Sequence, residues 1–471
     1  MVKMVVDWAL CDGNGVCSVE APEVFELNDN DELVVLREDI TSWSNRRSRL
    51  SGCARSVRCG SNAERSMTKE PIAIAGASLA GLNAGLELRR RGFDGRLVVI
   101  GDEQHLPYDR PPLSKELLRG DWPDEEANLR YDDAELRAEW RLGCKAVSFD
   151  AGALRIGFDN GKEETFAGGV VIATGASPRM LPGIRLEGVH VIRSLDDTVA
   201  LRRDIADAAS VVVIGAGFVG QEAAASCRAM GKMVTMIEAT APARHVVGEE
   251  IALRIAAMHR AQGVDVRLDV SVAALEGDAR LEAIRLSDGS LVPASVAIVG
   301  IGVHPATQWL EDSGLTIDNG VLCDETCLAA PGIVACGDIA RWPNRRYGEF
   351  RRVEHWDNAV RMGVHAARRL LAADDEPEAA LPYTPVPWFW SDQYGAKFQL
   401  VGSAFDHDEV LVVDEPGNGK LLALYRRGER LNAVFGISNA KRILTFRKLL
   451  ENDPSWHEGL AAAGLDVATA A

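Results

Sequence analysis

Two short stretches constrain this chain more than anything else in it. Pro71 to Gly81 reads PIAIAGASLAG, and Val211 to Glu222 reads VVVIGAGFVGQE. Each is an apolar run of strand length, then a glycine-bounded turn, then the opening of a helical pattern. A helix that starts directly after such a turn presents unpaired backbone N–H groups, which suit a pyrophosphate. In the first stretch Gly76 allows the tight turn and Gly81 allows a helix over Leu79 to Arg91 to pack closely on the strand. Ser78 stands where the usual fingerprint has its middle glycine. The second stretch has all three glycines, Gly215, Gly217 and Gly220. Each is followed by another apolar run, LVVI (Leu97 to Ile100) and VTMI, which end near the acids Asp102-Glu103 and Glu238. An acid there can hold a ribose hydroxyl. One such pattern recurs in many α/β folds; two in one chain imply two dinucleotides.

The remaining composition narrows the class. Lys+Arg 52 against Asp+Glu 69 leaves a net charge of −17, which argues against nucleic acid or an anionic membrane and favours basic protein surfaces as partners. No run approaches the roughly 18 apolar residues of a membrane helix, and Asp7 interrupts the N-terminus before a signal-peptide core forms, so a cytoplasmic location is expected. The nine cysteines are unevenly spread and form no repeated disulfide framework. Reduced thiols or cluster ligands fit them better than structural disulfides.

Ahead of the first glycine loop lies a different segment. Cys11-Asp-Gly-Asn-Gly-Val-Cys17 is a glycine-rich loop bounded by thiols, followed by APEVFELNDNDELVVL. These residues resemble the bacterial ferredoxins that serve cytochromes P450, whose loop carries a variable residue at the position of Asn14. The resemblance implies a [3Fe-4S] cluster on Cys11, Cys17 and Cys53. Ala54 stands where that family has proline, and Cys59 competes with Cys53. From Thr41 to Ser66 the composition turns to Ser and Arg without helical periodicity, so a linker or a decayed ferredoxin tail reads the same way.

From about Pro71 almost to the C-terminus, the chain resembles the family of putidaredoxin reductase and the reductases of aromatic-ring dioxygenases. The motifs that carry this are GASLAG, the proline-rich HLPYDRPPLSKELL, VVIATGASPRMLP, VIRSLDD, GIVACGDIA, Glu354-His355-Trp356 and PWFWSDQY. The resemblance implies an α/β protein with two Rossmann-like dinucleotide-binding domains and a C-terminal α+β interface domain, preceded by the small α+β ferredoxin-like domain. The boundaries are then 1–66 for the ferredoxin-like domain, 67–182 and 310–385 for the two parts of the FAD domain, 183–309 for the NAD domain and 386–471 for the interface domain. Expected cofactor contacts are Gly76, Ser78, Ala80, Gly81, Asp102, Arg110, Lys115, Ala146, Gly175, Arg193, Asp338 and Trp356 on the flavin side. On the nicotinamide side they are Gly215, Gly217, Phe218, Val219, Gly220, Glu238 and Gly302. The family's asparagine is replaced by Ala306.

By the same resemblance Lys115 should meet Glu222 near the reactive edge of the flavin, with Trp356 packed beside it; as residues alone, Arg110 and Lys115 read as cations that pair with a pyrophosphate, that sit near a flavin ring, or that belong to a solvated loop. Flavoproteins of this architecture that reduce disulfides or peroxides need a cysteine after the proline-rich loop, and PPLSKELLRG has none. The implied activity is an NADH-dependent, FAD-containing ferredoxin reductase that passes single electrons to an iron–sulfur centre, its own or a separate ferredoxin's, for a cytochrome P450 or Rieske-type oxygenase. Two alternatives stay open: a reductase with a non-functional ferredoxin extension, and a redox-responsive NADH-binding flavoprotein with little turnover. Cys323, Cys327 and Cys336 match no metal spacing and read as buried thiols.

Overall fold

The computed structural model describes residues 17–18, 21, 23–28, 33–36, 69–182, 186–373, 376–415 and 419–465. The chain divides into two compact units, Ser66–Pro385 on the one hand and Met1–Arg65 with Val386–Ala471 on the other.

The larger unit is built on two sheets, one for each glycine loop, the first parallel except for its antiparallel edge strand Leu328–Ala330 and the second parallel throughout. In the first, Ile72–Ala75 lies between Leu97–Ile100 and Gly169–Ile172, and the order continues to Glu139–Arg141 on one side and to Ile333–Ala335 and Leu328–Ala330 on the other. All four residues of each central strand are buried, which is why IAIA, LVVI and GVVI carry no alternation of polar and apolar residues. Helix Leu79–Arg90 follows the first strand and packs against helix Trp356–Leu371; a Cβ at Gly363 would lie 2.4 Å from the carbonyl oxygen of Ala80, so the two backbones touch. The second sheet runs Val189–His190, Ala297–Val299, Ser210–Ile214, Met233–Ile237, Val264–Arg267, all parallel. Its glycine loop opens helix Phe218–Ala229. The two halves are joined by a short antiparallel pair, Ala176–Pro178 with Val303–Pro305. Ala146 lies at the start of Ala146–Asp150, in a separate three-stranded antiparallel sheet.

In the smaller unit, five antiparallel strands run in the order Trp388–Gln393, Ala396–Gly402, Arg430–Ile437, Lys420–Arg427, Glu409–Glu415. Helices Ala440–Leu450 and Trp456–Ala462 bury Ile443, Phe446, Trp456 and Leu460 against Trp388, Val401 and Val434. Strands Phe25–Leu27 and Leu33–Val35 form a hairpin whose Leu27 packs with Ala440 and Leu444. Cys11 and Cys53, with Asn14, Ala54 and Cys59, lie outside the described residues; Cys17 is half-buried beside the Ala21, Val24 and Phe25 cluster. Among the described residues, no group of three or more His, Cys, Asp or Glu is placed to hold a metal ion, and no helix is long and apolar enough to cross a membrane.

Candidate functional site

The two glycine loops repeat one piece of geometry. A Cβ at Gly81 would sit 2.0 Å from the carbonyl oxygen of Gly76, and one at Gly220 would sit 2.2 Å from that of Gly215. Both are closer than any side chain tolerates, so the third glycine of each loop lets the helix press onto its own turn. Gly76 (φ +126°) and Gly215 (φ +92°) hold left-handed backbone with equally short approaches, 2.1 Å to the Ala173 carbonyl oxygen and 2.4 Å to that of Gly300. The middle position differs. Nothing lies nearer than 4.0 Å to a Cβ at Gly217, leaving open space at the start of helix Phe218–Ala229. Ser78 occupies the corresponding N-cap position of helix Leu79–Arg90, and neither helix start has a side-chain cap. The N–H groups of each helix's first turn, among them Ala80 and Val219, point out of the turn where a ligand oxygen can be received. Val219 is among the exposed large apolar side chains. Two cradles of this kind, each open at one helix end, fit two dinucleotides.

Around the first loop the structure gathers Ser78, Arg110, Gly175, Arg193 and Asp338. Arg110 donates to the Arg193 carbonyl, ion-pairs with Glu103 at 2.7 Å and reaches Ser78 Oγ at 3.5 Å. Arg193 in turn lies 3.4 Å from Asp338, and a Cβ at Gly175 would come within 3.2 Å of its guanidinium. Asp338 sits in the turn Gly337–Ile339, which abuts Ala80. Asp102 is exposed; its neighbour Glu103 is the acid that turns inward, accepting from Tyr108 Oη at 2.5 Å as well as from Arg110. Trp356 opens helix Trp356–Leu371 and donates from Nε1 to Asp109 at 2.7 Å, tying that helix to the proline-rich loop.

Around the second loop, Glu238 bends back so that its Oε2 accepts from Ala216 N at 2.7 Å, and Oε1 accepts from Thr240 N at 3.1 Å. Gln221 Nε2 donates to the Ala216 carbonyl at 2.8 Å, so the peptides on either side of Ala216 are both held. Arg244 is ion-paired with Glu249. Gly302 (φ +93°) lies in the segment that returns to the first half, where Arg179 N donates to its carbonyl at 2.9 Å.

The two halves meet at a buried ion pair. Lys115 Nζ lies 3.3 Å from Glu222 Oε1, with both side chains 7% exposed. Ser114 donates to Glu222 Oε2 at 2.5 Å, and Ser226 donates to the Ser114 carbonyl at 2.7 Å. Withdrawing two charges from water is costly, and this pair is sustained by close geometry and the added hydrogen bond. Lys115 and Arg110 are therefore not the cations of a solvated loop. Ser114, Tyr108 and Ser226 are site residues that the sequence did not single out, and Glu103 was marked only as one of two adjacent acids; for Ser114, adjacency to Lys115 was the one signal available.

None of the described cysteines stands in this site as a nucleophile. Burial pushes the thiols of Cys227 and Cys336 up to about 12, and that of Cys327 well above the ordinary range. His355, next to Trp356, is half-buried with its Nδ1 screened from solvent, and burial pushes its imidazole down to about 4.

A family model described as pyridine nucleotide-disulphide oxidoreductase matches residues 70–363, and one described as reductase C-terminal matches residues 388–467. Among curated relatives, the ferredoxin–NAD(+) reductase component of the p-cumate 2,3-dioxygenase system of Pseudomonas putida is 39% identical over 356 residues, 74% of this chain and 85% of that protein. Rhodocoxin reductase of Rhodococcus erythropolis is 33% identical, with 81% of this chain and 90% of that protein covered. Among solved structures, the ferredoxin reductase for the CYP199A2 system from Rhodopseudomonas palustris matches with a TM-score of 0.78 at 33% identity, covering 85% of this chain and 98% of that one.

The loop geometry separates two glycines that look alike in sequence. Gly215→Ala forces a Cβ against the Gly300 carbonyl and is expected to cost about 2 kcal/mol or more of stability, read as a fall in thermal midpoint. Gly217→Ala adds a methyl group in open space at ordinary φ and should leave the stability within about 0.5 kcal/mol of wild type while weakening nicotinamide dinucleotide binding in titration calorimetry. His355 makes a separate prediction. Its folded value lies below the ordinary value near 6.5, so the unfolded chain takes up the proton first as pH falls. The residue therefore costs stability progressively between roughly pH 6.5 and 4 and nothing above. His355→Gln should shrink the loss of stability between pH 7.5 and pH 5 by about 1–2 kcal/mol, measured by urea unfolding at the two pH values.

Proposed function

Because the chain belongs to the pyridine nucleotide-disulphide oxidoreductase family, we propose that it is an FAD-dependent ferredoxin reductase that takes its electrons from NADH. The observation that carries this reading is the pair Ser114 and Lys115. They occupy the segment after the proline-rich loop, where a disulfide-reducing member needs a thiol, and they engage Glu222 of the second half instead. With no thiol there, electrons from a hydride donor leave to a one-electron carrier. The curated relatives bear names of reductases that work with ferredoxins in oxygenase systems, which supports the same acceptor class.

In this reading residues 67–182 and 310–385 form the FAD domain, 183–309 the NAD domain and 386–471 the interface domain. The loop Gly76 to Gly81 receives the flavin pyrophosphate at the N–H groups of Ala80 and its neighbours. Arg110, Arg193 and Asp338 surround it, and Asp102, Ala146, Gly175 and Trp356 complete the contacts. Gly215, Gly217, Phe218, Val219 and Gly220 receive NADH, and Gly302 lets the backbone approach the nicotinamide. Glu238 accepts from the adenosine ribose and repels a 2′-phosphate. Arg244, six residues beyond Glu238, is engaged by Glu249 and gives a 2′-phosphate no ready partner. Bound FAD supplies the exchange between a two-electron hydride donor and one-electron carriers. The protein's part is to hold the two dinucleotides so that hydride crosses at the join of its halves, and Lys115 places a compensated positive charge there.

Residues 1–66 are read as a fused ferredoxin-like segment in which Cys11, Cys17 and Cys53 supply three thiolates to a [3Fe-4S] cluster. Three soft ligands and an asparagine at the fourth place suit three irons better than four. The terminal acceptor in this scheme is a cytochrome P450 or Rieske-type oxygenase.

Anaerobic purification with iron and sulfide analysis, followed by cytochrome c reduction with NADH and with NADPH, tests both parts. Expected are a preference for NADH of at least about tenfold in kcat/KM, and cytochrome c reduction without added ferredoxin when iron is bound. Comparable rates with NADPH contradict the Glu238 reading. Iron-free protein that reduces cytochrome c only after a separate ferredoxin is added leaves the reductase intact and the extension inert.

A further inference from the structure

We propose that Ser114 is the positioning residue of the Lys115–Glu222 pair, and that it couples this pair to the helix on which NADH is received. Ser114 is 3% exposed and is held twice by helix Phe218–Ala229. Its hydroxyl donates to Glu222 Oε2 at 2.5 Å, and its carbonyl accepts from Ser226 Oγ at 2.7 Å. Glu222 and Ser226 are four residues apart, one above the other on a single helical face, so adjacent turns grip one residue by side chain and by backbone.

The grip divides the Glu222 carboxylate. One oxygen is taken by the Ser114 hydroxyl and the other faces Lys115 Nζ at 3.3 Å. A buried carboxylate is free to rotate about its last torsion, which is broad and roughly two-fold. Tying one oxygen fixes the plane and aims the other at the ammonium. The same helix carries Gly217, Phe218 and Val219 at its N-terminus, one turn before Glu222. A displacement of that terminus when the dinucleotide binds is transmitted along a rigid helix to Ser114, and through Glu222 to Lys115. Arg119 Nη1, 3.4 Å from Ser226 Oγ, holds the far end of the same contact. Ser114 acts through Glu222 and is not itself a catalytic residue.

The inference rests on the reductase reading, so the test separates the two. Full-length FAD-loaded wild type, Ser114→Ala, Glu222→Gln and the double variant are mixed with NADH in an anaerobic stopped-flow instrument, and their thermal midpoints are measured by circular dichroism. Ser114→Ala is expected to lower the limiting rate of flavin bleaching about tenfold, the scale of one hydrogen bond to a charged group, with the NADH dissociation constant within about twofold of wild type. In the Glu222→Gln background the same change should alter the rate by less than about twofold, and the midpoint shifts should be non-additive. Ser114→Thr, which keeps the hydroxyl, should restore the rate to within about threefold of wild type. An unchanged rate in Ser114→Ala, or equal slowing in both backgrounds with additive midpoint shifts, overturns the inference while leaving the reductase reading standing. If NADH does not bleach the wild-type flavin at all, the reductase reading fails, and additive midpoints would then overturn the coupling as well.

Discussion

The structure depends on how closely backbone can approach backbone at two turns. At Gly81 over Gly76 and at Gly220 over Gly215, a helix lies on its own preceding turn at separations of 2.0 and 2.2 Å from where a Cβ would be. That contact fixes each helix start relative to its sheet, and the sheets are buried on both faces because helices cover them. Once the helix starts are fixed, so is the direction in which their unpaired N–H groups point. The duplicated cradle is a consequence of one steric rule applied twice in one chain.

What makes the two cradles a single device is the contact between them. Lys115 comes from the first half, Glu222 from the second, and Ser114 and Ser226 complete the joint with all four residues buried. A buried ion pair seldom adds net stability, and removal of one partner strands the other at a cost of about 3–5 kcal/mol. Its retention at the join is better understood through the charge it holds there than through folding. The thiols tell the same story by their placement, since Cys227, Cys323, Cys327 and Cys336 are sealed in the core and kept protonated.

Much of this was legible in the residues. The glycine spacing and the unbroken apolar runs announced both parallel sheets, because fully buried strands leave no alternation to misread. The proline-rich loop was legible as a loop, but its hydrogen bonds were not. Asp102 and Glu103 are adjacent in sequence, and only the fold shows that Glu103 turns inward to Tyr108 and Arg110 while Asp102 faces solvent. Ser114 was invisible for a different reason: its partners lie 108 and 112 residues away, on a helix face that only tertiary packing brings to it. The N-terminal thiols remain a sequence argument, since Cys11 and Cys53 lie outside the described residues.

In the proposed reductase the two dinucleotides meet where Lys115 meets Glu222. Anaerobic stopped-flow reduction of the FAD-loaded Lys115→Ala variant by NADH addresses this most directly. Expected is a limiting rate of flavin bleaching at least about tenfold below wild type, with the NADH dissociation constant changed by less than about threefold, the pattern of an interaction made in the transition state. A wild-type limiting rate in protein that retains its full complement of FAD would contradict it.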